Sequence, residues 1–357
     1  MPDELGLLER LVAIPSVSGE EAAVAAFVEE TARGWGLPAV RDDTSVRLEV
    51  RGREPGPTLA LVSHLDVVPP GTGWTRDPFT PTVEGDRLYG RGSGDAKASV
   101  AAMLTAAHDV AGGAGLKRGR LLVILGYGEE TRHTTMERAV ERAGPIDAAV
   151  VGEPTNLHLA TAQRGLMMVD LVARGDQRHA GYAAADGGFV NAALVLARDL
   201  LRLEGLFDER THPVLGRTTA TPTMLDAGVS RNVTPPVATA ILDVRSTPDW
   251  THDEIAALLR ARLDSEVVVT SRRLVPCETP AGSRLLAAAT RVRPGASQFG
   301  SPTCSDWVFL RHVDAIKAGP GTSRRSHTPD EYVDLSEVTD ARDFYAGVAR
   351  EYLGERA

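Results

Sequence analysis

Residues 58–65 form a mostly aliphatic run, Thr-Leu-Ala-Leu-Val-Ser-His-Leu, with no polar alternation along its first half. Such a run reads as a strand buried on both faces, which requires covering layers on either side of a sheet. It ends in Ser63-His64-Leu65-Asp66. At period two, His64 and Asp66 point the same way from the carboxyl end of that strand, where open α/β sheets bind their ligands. A Gly-rich turn, Gly90-Arg91-Gly92-Ser93-Gly94, then delivers Asp95 to the start of a helical pattern. A loop entering a helix is suited to holding a carboxylate still. A histidine and a carboxylate on neighbouring loops point to a metal.

The same grammar recurs along the chain. Residues 119–127 read as a strand followed by Glu129-Glu130, and residues 147–151 as a strand followed by Gly152-Glu153-Pro154. Helices are expected over 5–35, broken at Ile14-Pro15-Ser16-Val17-Ser18-Gly19 with Ser18 capping the second, and over 97–111 and 134–143. Alternating strands and helices predict an α/β domain. After Gln163-Arg164-Gly165 the texture changes: strands over 166–173 and 238–245 and helices over 191–203 and 252–263 predict a small inserted α+β domain. From Thr279 onward the first texture returns, closing with a helix over 335–352. The expected organisation is a catalytic domain in two parts, 1–164 and 276–357, around an insertion at 165–275.

Composition narrows the function. A chain of 357 residues with formal net charge −9 and scattered Lys and Arg is a poor match for nucleic acid or an anionic membrane surface. No apolar run approaches a membrane span, and the amino terminus lacks an apolar core with a cleavage site, so a cytoplasmic enzyme is expected. Cys277 and Cys304 cannot build a disulfide framework and read as free thiols. A nucleotide site on the Gly-rich turns is rejected because neither completes a phosphate-binding fingerprint and Glu129-Glu130 would repel a phosphate.

His327 lies in a further Gly-rich loop, Gly319-Pro320-Gly321 to Ser326-His327-Thr328. Taken singly, each of these residues has an ordinary structural explanation. Two histidines and several carboxylates, each at a strand end or in a loop, together suit zinc, cobalt or manganese in a two-metal hydrolytic site.

In this arrangement the chain resembles the co-catalytic zinc hydrolases that include acetylornithine deacetylase, succinyl-diaminopimelate desuccinylase, aminoacylase and glutamate carboxypeptidase. The stretches that carry the resemblance are Ser63-His64-Leu65-Asp66-Val67-Val68-Pro69, Gly90 to Lys97, Gly128-Glu129-Glu130, Gly152-Glu153-Pro154 and Ser326-His327-Thr328-Pro329-Asp330-Glu331. The resemblance implies a mixed central sheet flanked by helices with an inserted lid and dimerisation domain. It implies two divalent ions, with His64 and Glu153 on one, Glu130 and His327 on the other, and Asp95 bridging. Glu129 becomes the general base, and Asp66 the acceptor that orients His64. In the insertion, His179 takes the place of a substrate-polarising histidine reaching a partner subunit in a homodimer. Asn232 and Arg245 resemble residues that hold a substrate carboxylate, to which Arg325 is added, although Arg245 reads equally as a structural ion pair. His133, just after Glu129-Glu130, reads as loop or helix-start decoration and not as an extra ligand.

The expected reaction is hydrolysis of an N-acyl amino acid, foremost N2-acetylornithine or a related acylated diamino acid in arginine or lysine synthesis, free or on an amino-group carrier protein. Succinyl-diaminopimelate desuccinylase or a dipeptidase or carboxypeptidase is the alternative. A non-catalytic binding protein on the same scaffold is the reading from another class, and neither the base nor any ligand is missing to favour it.

Overall fold

Long aliphatic runs without alternation need partners on both sides, and the computed structural model shows how they are met. It describes residues 3–112, 115–131, 133–183 and 188–354. These divide into two compact units, one drawn from Met1–Thr161, Thr279–Phe299 and Ser305–Ala357, the other from Ala162–Glu278 and Gly300–Cys304.

In the first unit the sheet runs in the order Ala39–Arg41, Ser45–Arg51, Arg118–Gly126, Glu54–His64, Ala148–Val151, Asp314–Lys317, Leu159–Gln163. Its four middle strands are mutually parallel, with His64 opposite Gly126, Val62 opposite Val151 and Lys317 opposite Val151. The two strands before Arg118–Gly126 are antiparallel, so the sheet is mixed. The α/β class expected from the strand–helix repetition is what the structure shows.

Both faces are dry. Leu59, Leu61, Val123, Leu125, Val150 and Ile316 join a core built with the helices Glu4–Val12, Ala22–Gly34, Ala98–Ala111 and Leu335–Gly354. The alternate residues Ala60, Val62, Leu122, Ile124, Ala149 and Val151 are equally buried. They face the side on which the helix Thr135–Ala143 and the short helix Asp306–Leu310 pack. Each such Leu or Ile contributes roughly 1.5–3 kcal/mol by leaving water. Six alanines among the fourteen residues of Ala98–Ala111 let that helix bury residues 98–107 and Val110 as it packs against Leu335–Gly354. A parallel core has a functional consequence: every middle strand ends on the same edge, so their following loops converge.

Two local expectations change. The helix after the Ile14–Gly19 break begins at Ala22, and its N-cap is Glu21, without a side-chain capping bond. Ser18 is not the cap because its hydroxyl donates to Asp66 Oδ2 at 2.7 Å. In the second unit the sheet has four antiparallel strands, Thr219–Ala227, Val237–Ser246, Gly165–Arg174 and Glu266–Leu274 in that order. The sequence reading found only the two central ones. Thr219–Ala227 is exposed along nearly its whole length and irregular at Pro222, while Glu266–Leu274 carries two register shifts, so neither displays clean alternation. The helices Ala192–Arg202 and His252–Arg262 cover this sheet's apolar face through Leu196, Ile255 and Leu259.

Among the described residues no helix is long and apolar enough to cross a membrane. Cys277 and Cys304 form no disulfide.

Candidate metal centre and hydrolytic site

The loops at the converging strand ends bring His64, Asp66, Asp95, Glu129, Glu130, Glu153 and His327 together. His64 closes its strand fully buried, with Nδ1 3.0 Å from the Asp66 backbone oxygen and 3.4 Å from Asp66 Oδ1. With Nδ1 bonded to these acceptors, Nε2 is the ring nitrogen directed into the site. There it lies 3.3 Å from Asp95 Oδ1 and 3.9 Å from Glu153 Oε1. The other histidine, His327, sits on a left-handed backbone at φ 62° and is half exposed. Its Nε2 is 3.0 Å from both Glu130 oxygens and 3.8 Å from Asp95 Oδ2. One oxygen of Asp95 therefore faces each histidine, which is the disposition of a carboxylate shared by two cations.

Asp95 is held by its turn. Glu331, buried, accepts from the backbone N–H groups of Gly94 and Asp95 at 3.0 Å through Oε1 and from Gly92 at 3.1 Å through Oε2, which also pairs with Arg91 at 2.5 Å. Gly92 has φ +81°, and a Cβ there would stand 2.4 Å from Val67 Cγ1, so no other residue fits. The Asp95–Ala96 peptide is cis. Lys97, buried, donates to the carbonyls of Leu11, in the last turn of the first helix, and of Ile14, just past its end, and burial pulls its ammonium down to about 7.

Asp66 grips the opposite side. Its Oδ1 accepts from Glu129 N at 3.0 Å, and its Oδ2 from Glu130 N at 3.1 Å and from the Ser18 hydroxyl. Glu21 adds a further clamp by accepting from Gly19 N and Gly128 N. The break after the first helix is thus a brace for the Glu129-Glu130 loop.

Five carboxylates and two histidines in this space are short of positive charge, and the proton affinities record it. Burial, then the neighbouring Glu153, push the Glu129 carboxyl well above its ordinary range. Burial, then Asp95, push Glu153 up to about 8. Burial opposes a charged His64, yet hydrogen bonds to Asp66 and Asp95 raise it well above the usual imidazole value. Divalent cations would supply the missing positive charge, and the mixed nitrogen and oxygen donors suit zinc, cobalt or manganese. The residues present fit a pair of metal ions.

The remaining candidates have local partners of their own. Arg325 stacks over Tyr332 at 4.1 Å and pairs with Asp334 at 3.1 Å. In the second unit, Arg245 forms a two-pronged ion pair with Asp243 of its own strand, the structural alternative weighed for it. His179 is exposed, pairs through its backbone with Val233, and accepts from Gly181 N through Nδ1. Asn232 lies beside it, its carbonyl accepting from Ala180 N.

Sequence reasoning missed three residues. Glu331 carried no role, though it stands in the His327 motif. Asp306 was given no role, yet it is buried and 3.1 Å from His133 Nδ1. His133 is not loop decoration: the same nitrogen is 3.7 Å from Glu129 Oε1.

A mixed sheet presenting paired histidines and a shared carboxylate defines a dinuclear metallohydrolase centre, and the comparisons agree with it. The chain belongs to peptidase family M20/M25/M40, whose model matches residues 60–351. It is a metal-dependent hydrolase of that family. Among its curated relatives is the succinyl-diaminopimelate desuccinylase of Rhizorhabdus wittichii, 30% identical over 99% of both chains. That of Alkalilimnicola ehrlichii is 29% identical over 99% of this chain and 100% of its own. Solved structures share the fold: aminopeptidase PepT from Bacillus cereus has a TM-score of 0.83 at 17% identity, covering 99% of this chain and 98% of its own. The Bacillus subtilis YXEP protein, a dinuclear metal-binding peptidase, has a TM-score of 0.75 at 17% identity, covering 97% and 96%. These relatives favour the desuccinylase alternative over the acetylornithine deacetylase reading.

Proposed function

We propose that this chain hydrolyses the amide bond of an N-succinylated diamino acid, releasing succinate and the free amine. The reading rests on the placement of Asp95 between His64 and His327 with Glu129 buried beside them. The names of the 29–30% identical relatives support the succinyl group.

His64 and Glu153 would hold one divalent ion, Glu130 and His327 the other, and Asp95 both, with zinc the first choice. When bound, such a pair supplies Lewis acidity for the amide carbonyl and acidifies water. Asp66 fixes the His64 tautomer and, through two backbone N–H groups, the direction of Glu129. Glu129, whose burial favours a held proton, takes one from the attacking water at a carboxylate oxygen and returns it to the departing amine. His179 is the proposed donor to the developing oxyanion, and Asn232 and Arg245 the proposed contacts for a substrate carboxylate, Arg245 by exchanging its bond from Asp243. Supply of His179 from a second copy would make the enzyme a homodimer. The strand Thr219–Ala227 supports this: it is the outer strand of its sheet, with Met224 and Leu225 63% and 64% exposed.

The test is amine release from N-succinyl-L,L-diaminopimelate, N2-acetylornithine, a carrier-linked diamino acid and a dipeptide. Metal-stripped protein with zinc, cobalt or manganese restored is compared with Glu129→Ala. Metal-dependent turnover, fastest on the succinyl substrate and lost in Glu129→Ala, is expected. Faster turnover of N2-acetylornithine overturns the substrate assignment.

A further inference from the structure

The Glu129 carboxylate is held by its backbone through Asp66, but that grip leaves its side chain free to rotate. The structure puts a second grip on the side chain. The loop from Gly128 to the helix Thr135–Ala143 folds back on itself: His133 N donates to Gly128 O at 3.1 Å, and the Thr135 hydroxyl donates to Tyr127 O. His133 takes a left-handed backbone at φ 47°, a conformation uncommon for a residue with a side chain. This turns its ring inward, where it is mostly buried.

There Nδ1 stands 3.1 Å from Asp306 Oδ1 and 3.7 Å from Glu129 Oε1. Asp306 opens the short helix Asp306–Leu310, whose remaining residues Trp307, Val308, Phe309 and Leu310 are all buried. Its carboxylate therefore sits on a buried platform. The chain of contacts runs from a fixed acid, through an imidazole, to the acid that moves the proton.

We propose that His133, oriented by Asp306, is a positioning residue that holds the Glu129 side chain in its working rotamer. His133 Nδ1 stands between the two carboxylates, with the shorter, hydrogen-bonding contact to Asp306 setting the ring and the longer 3.7 Å ion-pair contact to Glu129 narrowing where that carboxylate can go. A donor between two acids also offsets their mutual repulsion, which would otherwise drive Glu129 away from Asp306. The inference rests on Glu129 acting as the base.

The experiment replaces His133 by Ala, Asn and Gln and Asp306 by Asn. In Asn the side-chain amide reaches the position of the imidazole Nδ1, whereas Gln extends it toward Nε2. With N-succinyl-L,L-diaminopimelate, His133→Ala is expected to lose roughly 10–100-fold in kcat, with KM, metal content and Tm near wild type. His133→Asn recovers most of that loss and His133→Gln does not, and Asp306→Asn added to His133→Ala costs little more. Unchanged kcat, equal rescue by Asn and Gln, or a loss that follows metal content or Tm overturns the proposal. Crystal structures of metal-free wild type and His133→Asn decide it without activity, so failure of the substrate reading is seen separately. The Glu129 rotamer and its contact to the side chain at 133 are expected in both. A Glu129 carboxylate pointing away from His133 in the wild type overturns the proposal, as does an unchanged Glu129 rotamer in a crystal structure of metal-free His133→Ala.

Discussion

Replacing Asp66 by Asn tests the organisation of the site most directly. Both oxygens of Asp66 accept a backbone N–H, Oδ1 from Glu129 at 3.0 Å and Oδ2 from Glu130 at 3.1 Å. An asparagine presents one oxygen and one NH2 group, so in either flip one of those N–H groups faces a donor. The Ser18 hydroxyl can turn to accept, but a backbone N–H cannot. A buried N–H left unsatisfied costs about 1–3 kcal/mol, and the other bond loses its charge-assisted part, roughly 1 kcal/mol more. Asp66→Asn should therefore destabilise by about 2–4 kcal/mol, and Asp66→Ala by more. Because the strained N–H groups belong to Glu129 and Glu130, kcat should fall by roughly 10–100-fold. Denaturant unfolding of metal-replete and metal-stripped protein gives the first number, and steady-state kinetics with metal analysis gives the second. A variant within about 0.5 kcal/mol of wild type and within two-fold in kcat would refute the claim that Asp66 positions this loop.

Chelation should abolish turnover and lower Tm, and titration with zinc should restore both at two ions per chain; restoration at one ion, measured by metal analysis, counts against a shared Asp95. Gly92→Ala should cost about 1–3 kcal/mol in thermal unfolding, because its Cβ would meet Val67 at 2.4 Å from a left-handed backbone; a neutral result would show that the turn relaxes freely. Leu225→Lys should convert a dimer into monomers in light scattering, and an unchanged mass would place any self-association elsewhere. The pH dependence of stability follows from Asp66, whose carboxyl burial would raise but bonds from His64, Ser18 and Glu130 lower from 3.8 to about 2. A lowered folded-state value means stability fully present above 3.8 and lost as pH falls through about 2, worth roughly 2.5 kcal/mol. Metal-free Asp66→Asn should lack that acid limb in denaturant titrations between pH 5 and 2.

Much of this protein was legible locally. The aliphatic run ending at His64 could only be a buried strand, and period two put His64 and Asp66 on one side. The same pattern placed Glu129, Glu130 and Glu153 at strand ends, and a parallel sheet then had to gather them on one edge. The residues that aim these groups were not legible. His133 meets Asp306 173 positions away, and Glu331 reaches Asp95 across 236. Which of many acids makes such a contact depends on sheet register and on which face each helix covers. Ser18 shows the limit at short range, since its sequence context suits a helix cap as well as a bond to Asp66, and packing of the break against the site selects the second. The outer strands of the second unit went unseen because an exposed edge places little demand on side-chain pattern. The sequence determined by itself what lies along each element and at its end, because periodicity and turn chemistry act over a few residues. The tertiary structure alone decided which distant side chains meet, because those contacts arise only when strands and helices pack.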